Sequence, residues 1–169
     1  MAADINQSIN TENLLEEPKK LPSMLNVLTI LTFIGSGFGL VGAIIGYFTA
    51  PANYQRQLEL QDKIQDMPGF VKNLMGPNPL EAARKQLENR LPIMLLYIVA
   101  SLLCLYGAIQ MRQWKKSGFS IYIIGDLVPF LAAIIFIGAA TLTGMGVIFS
   151  ILITIVFVIL YATQLKYLK

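Results

Sequence analysis

One ionisable side chain, Asp126, falls well inside a long apolar run of this sequence. A carboxylate without a partner is costly in an apolar environment, so we expect it to be protonated, paired or in contact with a wet cavity. Polar residues of its own run and of neighbouring segments should lie at its depth or somewhat nearer the surface: Tyr106, Gln110, Arg112, Tyr122, Thr32 and Tyr161. The sequence therefore predicts a polar cluster centred on Asp126.

Two roles suit such a cluster: a hydrogen-bond network that fixes helix packing, or a site that handles protons or cations. Catalysis is not favoured, because the chain has no histidine and no second carboxylate or lysine at that depth. The single cysteine, Cys104, excludes an intramolecular disulfide. We predict no catalytic residue, no metal site and no cofactor, and keep a lipid-modifying activity as an open alternative.

The composition places these residues in a membrane protein. Of the 169 residues, 55% are hydrophobic and only 14% are charged, whereas soluble domains carry about 25% charged residues. The net charge of +3 is spread over several segments, so no clustered basic face indicates nucleic-acid binding. The lipid bilayer is the expected partner.

The apolar runs predict an all-α fold: a polytopic membrane four-helix bundle with a helical extracytoplasmic loop between spans 1 and 2. We place Ser23 at the start of span 1 and Pro51 just beyond its end. The segments in order are a disordered cytoplasmic tail at 1–22, span 1 at 23–50, an amphipathic outer loop at 51–91, span 2 at 92–111, a basic cytoplasmic turn at 112–118, span 3 at 119–142, an outer turn at 143–146 and span 4 at 147–168.

Small residues recur at helical spacing in span 1, at Gly35, Gly39, Gly42 and Gly46. A face of this kind lets a neighbouring backbone approach closely, which drives helix association in lipid. A second set of small residues in span 2 could receive it: Ala100, Cys104 and Gly107. The partner helix could instead belong to another copy of the chain or to a different protein. Span 4, which is rich in Ile and Val, should largely face lipid.

The outer loop has its clearest helical pattern near its end. Asn78 is a candidate N-cap, and Glu81 stands three residues later, as in a capping box. Two oppositely charged pairs are spaced four residues apart, Glu81 with Lys85 and Arg84 with Glu88. We predict an amphipathic helix here that caps the bundle, or alternatively a surface that binds a partner or ligand.

The turn between spans 2 and 3 predicts the orientation. Lys115 and Lys116 favour the cytoplasmic side, and Trp114 suits the headgroup region. Both termini would then be cytoplasmic, and the chain would lie in a cell membrane, expected to be a bacterial inner membrane.

The segment Trp-Lys-Lys-Ser-Gly-Phe-Ser-Ile-Tyr at residues 114–122 resembles small, uncharacterised four-span bacterial integral membrane proteins. The topology alone is similar to claudin-like and MARVEL-type proteins, although the outer loop has neither their Trp nor their Cys pair. We expect a non-enzymatic subunit, scaffold or assembly component that forms homo- or hetero-oligomers through the glycine face or the outer loop. The alternative is a small proton- or cation-coupled transporter or channel that uses Asp126.

Overall fold

The computed structural model describes residues 21–64, 68–76 and 78–168, so most of the tail predicted at 1–22 lies outside the described residues. Within these ranges no residue is in a β-strand, and the expectation of an all-α chain is confirmed. The α-helices are α1 (Ser23–Ile64), α2 (Gly69–Met75), α3 (Pro79–Glu88), α4 (Arg90–Arg112), α5 (Ser117–Ala132) and α6 (Met145–Gln164).

Among the described residues, four helical stretches are long and apolar enough to cross a membrane, as the sequence predicts. Their outward surfaces carry large apolar side chains, with Phe38, Phe48 and Ile135 each more than 70% exposed. Such a surface suits lipid better than water. The four stretches are Ser23–Lys63, Arg90–Arg112, Ser117–Ile137 and Met145–Tyr167.

The first helix is longer than the sequence analysis suggested. We ended span 1 before Pro51, but α1 continues through this proline to Ile64. Proline removes one helical hydrogen bond without forbidding the helix, and the continued helix contacts α3, which can offset the loss. The start of the expected outer loop is therefore an extension of α1, and only α2 and α3 are separate helices there.

Both predicted charge pairs form on α3. Lys85 Nζ lies 2.7 Å from a Glu81 carboxylate oxygen, and Arg84 Nε lies 2.8 Å from one of Glu88. The hydrogen bond and charge of Lys85 hold the pKa of the Glu81 carboxyl below its usual value. The expected cap differs, because Asn78 makes no side-chain capping bond and Glu81 turns to Lys85 instead.

The tightest contact of the bundle is between α4 and α5. A Cβ added at Gly107 would lie 2.7 Å from the carbonyl oxygen of Gly118, and one at Gly118 would lie 2.5 Å from that of Gly107. Gly125 packs in the same way, since its added Cβ would meet the nitrogen and sulfur of Cys104 at 2.9 Å. The two backbones touch because these positions have no side chain.

This contact changes the expected role of the small-residue stripe on α4. We predicted that Cys104 and Gly107 would receive the glycines of span 1, but they face α5. Ser101 meets α1 instead, at Gly39, where an added Cβ would lie 2.7 Å from its hydroxyl oxygen. Ala100 is buried. Added Cβ atoms at the other three predicted glycines would meet nothing within 4 Å: Gly35, Gly42 and Gly46.

The third apolar helix ends earlier than residue 142. Its last turn, Ala133–Ile137, is π-helical, and Gly138 stops it with a φ of 117° that favours glycine. A 3₁₀ turn at Ala139–Thr143 follows, and α6 begins at Met145, so Gly146 lies inside that helix and outside the connection. The last helix ends at Gln164, before a 3₁₀ turn at Leu165–Tyr167.

The turn between α4 and α5 closes through a hydrogen-bond pattern typical of helix C-termini. The Lys115 amide donates to the carbonyl of Gln110, and the Trp114 amide donates to that of Met111. Trp114 occupies the left-handed position of this Schellman-type turn, with φ at 64°, where glycine is the usual residue.

The buried core lies at the end of the bundle that holds this turn. Leu25, Met111, Tyr161 and Leu168 bring together the start of α1, the end of α4 and the end of the chain. Of the four apolar helices α6 is the least closely packed, because it makes few contacts with α1 and α5.

A glycine-to-alanine pair tests the α4–α5 contact. Gly118→Ala should lower the free energy of unfolding by about 1–3 kcal/mol, because its Cβ overlaps the backbone of α4. Gly35→Ala is the matched control, since an added Cβ there meets nothing within 4 Å. Thermal denaturation in detergent measures both, and equal stability of the two variants would contradict the close approach.

Candidate functional site

Asp126 lies near the middle of the third apolar helix, slightly nearer the end that adjoins the basic turn. It is nine residues after Ser117 and eleven before Ile137, or about 14 and 17 Å at 1.5 Å per residue. The packing of Gly125 against Cys104 places Asp126 on the next position around α5, partly buried between helices.

The carboxyl group of Asp126 is only partly satisfied. The hydroxyl of Thr154 on α6 faces it, and both residues line the same cavities. Its second oxygen, Oδ2, is buried and has no hydrogen-bond partner. Pro129, one turn along α5, has no N–H to donate to the carbonyl of Gly125. Two hydrogen-bond acceptors on neighbouring residues of α5 therefore lack a donor from their own helix: the carbonyl of Gly125 and Oδ2 of Asp126.

Two cavities meet at Asp126. The loop-side cavity, about 430 Å³, extends from Gln86 and Arg90 to Asp126. The mid-bundle cavity, about 340 Å³, continues from Asp126 past Ser36 and Ser101 towards Thr32 and Tyr122. Four residues line both cavities: Tyr97, Asp126, Pro129 and Thr154. Asp126 therefore stands between the two cavities, in the middle of the bundle.

A buried polar contact closes the bundle beyond the mid-bundle cavity. The hydroxyls of Thr32 and Tyr161 share a hydrogen bond of 2.7 Å, and both residues are buried. The rings of Tyr122 and Tyr161 lie 4.8 Å apart. Around them pack the buried apolar residues Leu25 and Met111. This Thr32–Tyr161–Tyr122 group separates the cavities from the end of the bundle that holds the basic turn.

The remaining residues of the predicted cluster lie elsewhere. Tyr106 is 51% exposed, and its hydroxyl accepts a 2.6 Å hydrogen bond from Gln110. The Gln110 side chain in turn accepts one from Ser117. Arg112 donates to the hydroxyl of Thr29 at 3.5 Å, close to the ring of Phe33. The structure thus divides the expected single cluster into four groups, and Tyr106 is separated from Asp126 because it faces outward when Gly107 faces α5.

The structure adds residues that the sequence analysis missed. Thr154 and Ser150 on α6 and Tyr97 on α4 line the loop-side cavity. A signal for the first two was present, because α6 has polar residues at one-face spacing: Ser150, Thr154, Tyr161 and Gln164. We overlooked this polar face because the helix is otherwise rich in Ile and Val.

At its far end the loop-side cavity reaches the junction of α3 and α4. The guanidinium carbon of Arg90 lies 4.8 Å from the centroid of the Tyr47 ring. Asn89, between the two helices, donates from its side-chain amide to the carbonyl of Lys85 at 3.0 Å. This end therefore presents a basic group and aromatic surface, whereas the middle of the bundle presents a carboxyl group.

This arrangement can bind a positive charge or a proton at Asp126 and can hold water or a small organic molecule beside it. Among the described residues no group of three or more His, Cys, Asp or Glu side chains could hold a metal ion. The carboxyl group of Asp126 is the charged group that faces the middle of both cavities.

The Thr32–Tyr161 hydrogen bond can be measured with a double-mutant cycle. Thr32→Val and Tyr161→Phe should each destabilise the protein, with a coupling energy of about 0.6–2 kcal/mol, the range for hydrogen bonds between membrane helices. Tyr106→Phe is the matched control, because its hydroxyl bonds an exposed neighbour on its own helix. Strictly additive effects in detergent unfolding would mean that the pair does not hold α6 to α1.

Comparison with known proteins gives no indication of function. No protein-family model, no curated protein and no solved structure matches the chain.

Proposed function

We propose that this chain is a multi-pass integral membrane protein that acts as a non-enzymatic subunit, scaffold or assembly component. The observation that carries the proposal is the sparse packing of α6. Only 6% of the residues in the apolar stretch of α6 are buried within the chain, compared with 28% of those in α1. Because a helix with so little internal support needs other contacts, we assign them to lipid and to a partner helix.

The proposed orientation rests on the charges at the two ends of the bundle. The end with the buried core carries Arg112, Lys115, Lys116 and Lys166 on short connections or span ends. The opposite end mixes basic with acidic residues, as in the pairs on α3. By the positive-inside rule, the first end and both termini lie in the cytoplasm of a cell membrane, and the helical loop lies outside.

Two surfaces are available for oligomerisation. Gly35, Gly42 and Gly46 on α1 have room beside their backbone, and since they also line the two cavities, another helix could approach them closely only in place of a cavity ligand. The α2–α3 segment offers the second surface, with Phe70 67% exposed. Either surface would serve a homo-oligomer or a complex with a different protein.

A second candidate function is a small proton- or cation-coupled transporter or channel. The observation that favours it is the position of Asp126 between two cavities, with one oxygen lacking a partner. Intramembrane carboxylates in such positions serve as carriers of protons or cations in many transport proteins. A neighbouring protein is not required for this role.

Cysteine labelling in whole cells tests the orientation. In a Cys104→Ala background, Lys116→Cys and Lys166→Cys should react with a membrane-impermeant maleimide only after the cells are opened. Asp62→Cys and Thr143→Cys, both at exposed positions, should react in intact cells. The reverse pattern would invert the proposed topology, and reaction of all four sites in intact cells would contradict membrane insertion.

Purification in mild detergent separates the two functions. A scaffold or subunit should retain a second protein at fixed stoichiometry, and Asp126→Asn should leave that complex intact, because the residue lies inside the bundle. A transporter should purify alone, and its liposomes should show a cation or proton flux that Asp126→Asn abolishes. Glu88→Gln, at an exposed carboxylate on α3, is the charge-matched control.

A further inference from the structure

The loop-side cavity has the properties of a binding site for a hydrophobic organic cation. This inference depends on the proposed membrane placement but not on the proposed scaffold role. We propose that the cavity binds a molecule with one permanent positive charge and an apolar body, with the charge at the carboxylate of Asp126. An ammonium or phosphonium ion with hydrocarbon or aromatic substituents has this chemistry.

Size and lining favour an organic ligand. The cavity measures about 430 Å³, within the range of about 300–1,000 Å³ typical of small-molecule sites. Its walls are mostly apolar, with Ile93, Met94, Phe130 and Val147 among the lining residues. Polar groups lie at both ends, with Gln86 and Arg90 near the loop and Asp126 and Thr154 in the middle of the bundle, so the carboxyl group can recognise one charged end of a ligand.

The charge of the ligand follows from the unpartnered carboxylate oxygen. Oδ2 of Asp126 is buried without a hydrogen-bond partner, although one hydroxyl, that of Thr154, faces the group. An uncompensated carboxylate is costly at this depth, and a bound cation removes the cost. A bare metal ion is a poor occupant, because it requires several closely spaced oxygen ligands and this space is wide and mostly apolar.

Aromatic rings add a second contribution to cation binding. Tyr47, Tyr97 and Phe130 line the cavity, and aromatic faces attract organic cations. Arg90 also lines it, but Gly125 is level with Leu103 and Cys104, thirteen or more residues along α4 from Arg90. At 1.5 Å per residue the separation is about 20 Å along the helix. Arg90 is therefore too far from Asp126 to act as its counter-ion.

Glycines of α1 provide the room for the ligand. Gly42 and Gly46 line the cavity, and an added Cβ at either position would meet nothing within 4 Å. A larger side chain at Gly46 would therefore fill the site without disturbing a helix contact. This gives a variant that blocks binding by shape and leaves the carboxylate unchanged.

Binding of tetraphenylphosphonium to the purified full-length chain in detergent tests the proposal. The wild-type protein should bind it at a saturable site, and triphenylphosphine oxide, a neutral molecule of related shape, should bind at least 10-fold more weakly. Asp126→Asn and Gly46→Leu should each weaken cation binding at least 10-fold. The controls Glu88→Gln and Gly37→Leu should retain wild-type affinity, since Gly37 has open space outside the cavity.

Equal affinity for the cation and the neutral molecule, or unchanged binding by Asp126→Asn, would overturn the proposal. A proton flux that depends on Asp126 in liposomes without saturable binding of tetraphenylphosphonium would also overturn it. Circular dichroism and thermal unfolding show whether each variant is folded, and if Asp126→Asn is not, Gly46→Leu decides. A wrong membrane orientation appears in the cysteine labelling, independently of any binding result.

Discussion

The structure depends above all on the contact of two backbones at Gly107, Gly118 and Gly125. At these positions α4 and α5 are so close that one added carbon would overlap a carbonyl, an amide or a sulfur atom. The contact fixes the rotation of both helices, because each residue turns the helix by about 100°. Asp126 and Tyr122 are directed into the bundle as a result, and Tyr106 is directed outward.

The sizes of the facing side chains on α1 and α6 explain why the bundle is tight near the basic turn and has cavities farther along. Near the basic turn, Tyr161 fills the space between α1, α5 and α6 with a ring and a hydroxyl that bonds Thr32. Further along α6 the inward positions are Thr154 and Ser150, which are too small to fill a comparable space. Gly42 and Gly46 on the facing helix are smaller still. Cavities remain where small residues face each other across loosely packed helices.

Composition and periodicity were enough to predict the helices, but not their partners. The four apolar helices and the salt bridges of α3 follow from local patterns within one helix. The partner of Gly107 depends on the rotation of a neighbouring helix, which no local pattern contains. The continuation through Pro51 also depends on a distant element, the contact with α3. Asp126 was recognised because charge is rare at that depth, whereas hydroxyls such as Thr154 are common in membrane helices.

Two polar contacts in the same bundle show what distinguishes Asp126 from a structural residue. Thr32 and Tyr161 satisfy each other at 2.7 Å, and apolar side chains surround them. A carboxyl group that served packing alone should be satisfied in the same way, because a half-satisfied buried group is less favourable than an apolar one. Asp126 instead has a buried oxygen without a hydrogen-bond partner, and its side chain lies where the two cavities meet. An unpartnered carboxyl oxygen at this place is better explained by binding of a proton, water or cation than by helix packing.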